Sequence, residues 1–319
     1  MRDHGGNIDG AIARFGGKDW IDLSTGINRV PYPVPALAPE DWTMLPTAAA
    51  KAGLLQVARQ AYGTQAPLLA VAGAQAAIQM IPRLRPPGVA RVLGPTYNEH
   101  AASLRAAGWQ VQEVTRLAHL AGADLAVVVN PNNPDGAAHA PEDLLALAGQ
   151  VGQLVVDESF ADAQPELSLA AMAGQDGLLI LRSFGKFYGL AGVRLGFVIG
   201  SEGDIAALQE MSGPWPVNGA ALRIGSVALA DQDWAAATIQ RLRAEVLAAD
   251  ALATAAGWQA LGGCELFRLY DTPDAEQAQA RLARHRIWSR IFPYSNRWLR
   301  LGLPGGDAEW VRLTQALEG

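Results

Sequence analysis

Leu178-Leu179-Ile180-Leu181-Arg182-Ser183-Phe184-Gly185-Lys186-Phe187-Tyr188-Gly189-Leu190-Ala191-Gly192-Val193-Arg194-Leu195-Gly196 is an apolar run that breaks into a glycine-rich segment around one lysine. The chain holds three lysines, Lys18, Lys51 and Lys186. Only Lys186 lies among glycines and small residues just past a strand-like run, where a backbone can approach a ligand closely. A lysine amine forms a Schiff base with a carbonyl cofactor where burial or a cationic neighbour keeps part of it unprotonated. Ser183, three residues before, and Arg194, eight after, supply a hydroxyl and a guanidinium suited to a phosphate. Lysine, hydroxyl and arginine together suggest pyridoxal phosphate (PLP). A solvated turn lysine is the plain alternative on this stretch alone. Ser-x-x-Lys also belongs to penicillin-recognising serine hydrolases, but their Ser-Asp-Asn and Lys-Thr-Gly partners are absent.

Outward from this stretch, apolar runs alternate with helical patterns. Residues 47–63 carry a helical spacing that ends at Gly63. Leu68 to Ala72 reads as a strand, followed by a glycine turn and an alanine-rich helix, so that Gly73-Ala74-Gln75 presents the N–H groups of a helix start to a phosphate. Strands are expected at 90–93, 109–114, 124–129, 154–156, 178–181 and 195–199, with a helix over 98–107. Such alternation implies an α/β fold with a mainly parallel sheet covered on both faces and ligands at the carboxyl ends of the strands. Tyr97 follows one strand and offers a ring to stack on a planar cofactor. Asn133, in Asn130-Pro131-Asn132-Asn133-Pro134-Asp135-Gly136, follows another, and Asp157 stands at the end of a third. Singly these have plain explanations as a core tyrosine, a tight turn and a helix cap. Jointly they complete the donor set that PLP requires.

The chain has 319 residues, 50% of them hydrophobic, enough for one large domain and a smaller one. A net charge of −6 without a basic block excludes a general polyanion surface, so an anionic ligand must be met by individually placed arginines and backbone amides. Cys264 is the single cysteine, which suits a reducing compartment. The first residues do not resemble a signal peptide, no run approaches a membrane span, and the chain reads as cytoplasmic. His4, His100, His119, His139 and His285 lie without ligand spacing, which gives no metal site. Residues 1–46 are expected to form an irregular arm contributing to the small domain and active site, 47–232 the large PLP domain, and 233–319 a linking helix and small C-terminal domain. The helix over 233–256 is expected to bury Trp234, Ile239, Leu242, Val246, Leu247 and Leu252 on one side.

These motifs resemble the fold-type I PLP enzymes, in the branch containing histidinol-phosphate aminotransferase and threonine-phosphate decarboxylase, over nearly the whole chain. The resemblance implies that Gly73, Ala74 and Gln75 form the cofactor-phosphate turn, Tyr97 stacks on the ring and Asn133 donates to O3′. Asp157 is then the pyridinium partner, Ser183 and Arg194 are phosphate ligands, and Lys186 is the lysine that bonds the cofactor. Lys186, Asp157 and Tyr97 would carry the catalysis. Arg300 resembles the substrate-acid arginine; with Asn28 it is the first candidate for the substrate's phosphate and carboxylate. Three departures from the aminotransferase pattern favour a decarboxylase. Asp135 replaces a usual threonine, and Phe160 replaces a tyrosine that hydrogen-bonds O3′. The stretches His4-Gly5-Gly6 and Asp22-Leu23-Ser24-Thr25-Gly26-Ile27-Asn28 look like the decarboxylase of cobalamin biosynthesis. The implied reaction is decarboxylation of L-threonine O-3-phosphate to (R)-1-amino-2-propanol O-2-phosphate; the alternative is a histidinol-phosphate-type aminotransferase. A homodimer is implied, although Met44-Leu45-Pro46 stands where relatives have Arg-Tyr-Pro, whose tyrosine reaches the partner's cofactor phosphate.

Overall fold

The structure, a computed structural model, describes residues 4–318; Met1, Arg2 and Asp3 of the expected arm and Gly319 of the expected small domain lie outside the described residues. The chain divides into two compact units. The larger comprises Tyr32–Asn133 and Ala138–Ala235. The smaller is assembled from the chain up to Pro31, the short piece Pro134–Ala137, and everything from Ala236 onward.

The larger unit is built on a seven-stranded sheet: β1 (Leu68–Val71), β2 (Val89–Leu93), β3 (Gln110–Val114), β4 (Leu125–Val129), β5 (Leu154–Asp157), β6 (Leu178–Ser183) and β7 (Gly196–Ile199). Their spatial order is β1-β7-β6-β5-β4-β2-β3. Neighbours from β6 to β3 are parallel, whereas β7 runs antiparallel to both β1 and β6. The central strands β4 and β5 are buried at every position, as near-continuous Val, Leu and Ala runs must be when helices cover both faces. Val71, Val155, Leu179, Leu181 and Val198 belong to one core with Ile78 and Leu104 from flanking helices. Truncating such a leucine to alanine costs about 2–5 kcal/mol. The helix Ala48–Ala61 starts where the Thr47 hydroxyl accepts from Ala50 N–H at 3.1 Å, and Gly63 follows at φ +61.

The smaller unit holds a four-stranded antiparallel sheet, ordered 290–292, 295–302, 267–271 and 259–264. A parallel pair, Ile21–Asp22 with Ile287–Trp288, stands beside it in the same unit. Its core gathers Leu23, Trp258, Tyr270, Leu282, Leu299 and Leu313.

Two expectations need correction. The first 46 residues are not irregular throughout: Ile8–Phe15 is a helix, started by the Asn7 side chain accepting from Gly10 N–H at 3.0 Å. The short helix Glu40–Thr43 also lies within that span. In the long helix Gln232–Ala255 the apolar side is narrower than the pattern predicts: Leu247 is 72% exposed, and the buried positions are Thr238, Leu242, Ala249 and Ala253.

Candidate active site

The carboxyl ends of the parallel strands converge on a cavity of about 130 Å³. Asp157 ends β5, fully buried, where strand alternation turns its carboxylate into the cavity. Its Oδ2 lies 2.8 Å from His100 Nε2, and its Oδ1 accepts from the Ser159 backbone N–H at 3.0 Å and from the Ser159 hydroxyl. Burial alone would raise this carboxyl, but the His100 ring and both Ser159 donors outweigh it and hold the group below the usual aspartate value. With Asp157 ionised, the His100 nitrogen facing it carries the proton. The carboxylate is therefore kept charged and fixed in direction.

Lys186 sits in the single turn Phe184–Phe187 that follows β6 directly, so Ser183 is the last residue of the strand and not a residue beyond it. The Lys186 amine lies 5.7 Å from the centre of the Phe160 ring. The turn rests on aromatic stacking: Phe184 on Tyr188 at 4.5 Å and Tyr188 on Trp234 at 5.5 Å. Arg194 adopts a left-handed conformation at φ 57 and ψ 50, and its guanidinium packs against Gly73. A Cβ at Gly73 would stand 2.6 Å from Arg194 Nη2, so the glycine at the start of helix Ala74–Met80 is what admits the arginine. Tyr97 donates its hydroxyl to Gln75 Oε1 at 3.1 Å, and Gln75 Nε2 reaches Glu99 at 3.2 Å.

Ala74, Gln75, Tyr97 and Asn133 thus line one cavity with Asp157, Ser183, Lys186 and Arg194, and Gly73 sits at its rim. Two separate cations, one oriented carboxylate and the flat faces of Tyr97 and Phe160 fit a planar heterocycle bearing a phosphate and a basic ring nitrogen, as PLP does. A larger cleft of about 430 Å³, lined by Leu55, Leu69, Val217 and Leu222, offers no comparable chemistry; its Lys51 is committed to the Pro214 carbonyl at 3.0 Å. Among the described residues no group of histidine, cysteine or carboxylate side chains is arranged to hold a metal.

Asn28 and Arg300 belong to the smaller unit. Arg300, buried, donates from Nη2 to the Ser24 carbonyl at 2.6 Å and lies 5.0 Å from the centre of the Phe267 ring. Arg290 is its cross-strand partner, two like charges directly opposite. Burial first and then Arg290 push the Arg300 guanidinium down to about 9, a cost that a bound anion would offset. Asn28 Oδ1 accepts from Val30 N–H at 3.0 Å and Arg241 Nη2 at 2.9 Å. Leu45, where the resemblance leads one to expect a tyrosine, is 64% exposed.

Sequence reasoning missed His100 and Arg290. Neither had a local signal: Glu99 and His100 are buried although they open the helix Glu99–Ala106, and Arg290 stands on the short strand Arg290–Phe292, opposite Arg300 on the neighbouring strand.

The family profile described as aminotransferase class I and II matches residues 44–316. The chain belongs to this family. Among aminotransferase class I and II members, a threonine-phosphate decarboxylase of Sinorhizobium sp is 44% identical over 98% of this chain and 97% of its own length. A second threonine-phosphate decarboxylase, from Pseudomonas aeruginosa, is 42% identical over 100% of this chain and 98% of its own. The crystal structure of histidinol-phosphate aminotransferase from Sinorhizobium meliloti in complex with pyridoxal-5'-phosphate superposes with a TM-score of 0.82 at 21% identity, covering 97% of this chain and 92% of that one. The likeness establishes the fold: the mixed, mostly parallel sheet with flanking helices is the fold-type I architecture of the aminotransferase family.

Proposed function

We propose that this protein is a PLP-dependent carboxy-lyase that converts L-threonine O-3-phosphate to (R)-1-amino-2-propanol O-2-phosphate and CO2, as a step in cobalamin biosynthesis. The observation that carries the reading is the full-length identity of 42–44% to two threonine-phosphate decarboxylases. The more distant histidinol-phosphate aminotransferase relatives match at 33% over 67% of the chain.

PLP, when bound, supplies an electron sink for the bond that breaks as CO2 leaves. The protein does the rest. Arg194 and Ser183 would hold the phosphate with the backbone of Gly73, Ala74 and Gln75, and Tyr97 would pack against the ring. Asn133 donates to the ring oxygen. Asp157, kept ionised by His100 and Ser159, retains the proton on the ring nitrogen. Lys186 would anchor the cofactor, and its amine is the group that would return a proton to the carbon that loses CO2. Arg300 and Asn28 take the anionic groups of a small phosphorylated amino acid, with Arg290 adding to the positive field. A cytoplasmic homodimer completes the reading; it is supported by the family resemblance and the lone cysteine, and light scattering of the purified protein tests the dimer.

The deciding experiment is CO2 release from L-threonine O-3-phosphate by purified protein with PLP and no keto acid. Many turnovers are expected from the wild type and none from Lys186→Ala, which should also lose the cofactor's visible band. Absence of CO2, with amino transfer from histidinol phosphate to 2-oxoglutarate in its place, would replace this reading by the aminotransferase one.

A further inference from the structure

On the face of β5 and β6 turned away from the cavity lies a second buried cluster, centred on Arg182. Strand alternation produces it: Asp157 and Ser183 face the cavity, so Glu158 and Arg182, each one residue along the chain, face the other way. Arg182 Nη1 binds Glu158 Oε2 at 2.8 Å, and Nη2 binds Asp162 Oδ1 at 2.9 Å. Its guanidinium lies 4.5 Å from the centre of the Tyr62 ring, and Nη1 reaches the Ser168 hydroxyl at 3.2 Å. Glu158 further accepts from Ser168 at 2.6 Å and from Leu169 N–H at 2.7 Å. Arg182 and Glu158 are both almost wholly removed from solvent.

The segments that Arg182 joins are those that carry the cavity's reacting groups. Glu158 follows Asp157 directly and is tied to β6 by its N–H on the Leu181 carbonyl at 2.9 Å. Asp162 sits in the short turn Ala161–Ala163 that follows Phe160. Tyr188, two residues after Lys186, has its hydroxyl raised first by burial and then by Asp162, so it shares the same electrostatic environment. A one-residue slip between strands would exchange their faces, so a cross-strand pin at this level fixes which side chains meet. Replacing a buried pair by apolar residues is often neutral for stability, so a stabilising role alone is weak grounds for keeping this one.

We propose that Arg182 is a positioning residue of the cavity behind which it lies: by bridging Glu158 and Asp162 it sets the relation of the Asp157 carboxylate to the Lys186 amine. The inference rests on the assignment of Asp157 and Lys186 to the cofactor. It requires an arginine, because a lysine has one nitrogen and cannot span two carboxylates while lying flat on Tyr62.

The test compares wild type, Arg182→Lys and Arg268→Ala, the last removing a bidentate pair with Asp250 in the smaller unit. Each is titrated with PLP, and Tm, bound-cofactor absorbance against pH, kcat and KM are measured. In Arg182→Lys the absorbance midpoint should move and kcat fall by about 100-fold, as for a small misplacement of reacting groups, with KM little changed. Arg268→Ala should lower Tm and leave midpoint and kcat alone. An Arg182→Lys protein with lowered Tm but wild-type midpoint and kcat overturns the proposal. Should that variant not fold, Asp162→Asn, which leaves the Glu158 arm intact, must move the midpoint in its place, and an unmoved midpoint again overturns it. A Lys186→Ala control that still forms the wild-type visible band would show that the underlying assignment, not the positioning role, had failed.

Discussion

Phe160 lines the candidate cavity where the family resemblance leads one to expect a tyrosine. Its ring lies beneath the Lys186 amine, and the resemblance implies that a tyrosine here would donate to O3′ of a bound cofactor. Without that donor a deprotonated ring oxygen would be less stabilised, so the bound cofactor's visible absorbance should change with pH at a higher midpoint. Phe160→Tyr should therefore lower the midpoint of the visible absorbance titration; an unchanged or higher midpoint would contradict the placement of Phe160. Lys186, Asp157 and Asn133 stood out in the sequence because each lies at or just past the end of an apolar run, and a parallel sheet delivers such positions to one edge. His100 was not. Its partner Asp157 lies 57 positions away, and no local pattern announces a contact of that separation.

The turn between β1 and the helix Ala74–Met80 shows how an element makes room for a charge. Gly73 stands at φ 74 and ψ 158, a region essentially reserved for glycine, where an alanine costs about 1–3 kcal/mol. An alanine there would also strike the Arg194 guanidinium, whereas at Gly63, φ +61, a Cβ meets nothing within 4 Å. Gly73→Ala should lose both stability and PLP affinity, while Gly63→Ala should lose stability alone; paired thermal melts and PLP titrations separate the two effects. The glycine turn was legible in the sequence, and so was a helix ending near Gly63, whereas the Thr47 cap that starts it was not read. The helix Ile8–Phe15 was obscured by the glycines around it, although Asn7 is a good cap. The reversed direction of β7 left no mark: Gly196–Ile199 is as apolar as its parallel neighbours, since direction is decided by how the preceding turn at Arg194 leads the chain back.

At the scale of the molecule, the cofactor residues belong to one of the two units, so PLP stabilises by binding the folded larger unit. At 100 times its dissociation constant it should add about 2.7 kcal/mol, read in calorimetry as a rise in Tm of several degrees. If the two units melt separately, only the larger one's transition should move, and a Tm indifferent to PLP would count against the site. The net charge of −6 gives no general attraction for anions, which leaves phosphate and carboxylate to single arginines such as Arg194 and Arg300. The sequence by itself determined the alternation of strands and helices, the cofactor class and the residues at the strand ends, because those follow from local composition and from spacings of a few residues. Only the tertiary structure decided the Asp157–His100 pair, the Arg182 pin behind the cavity, the opposed Arg290 and Arg300, and the inclusion of Pro134–Ala137 in the smaller unit. In each, burial or strand pairing selects the partner, and the local pattern carries no record of it.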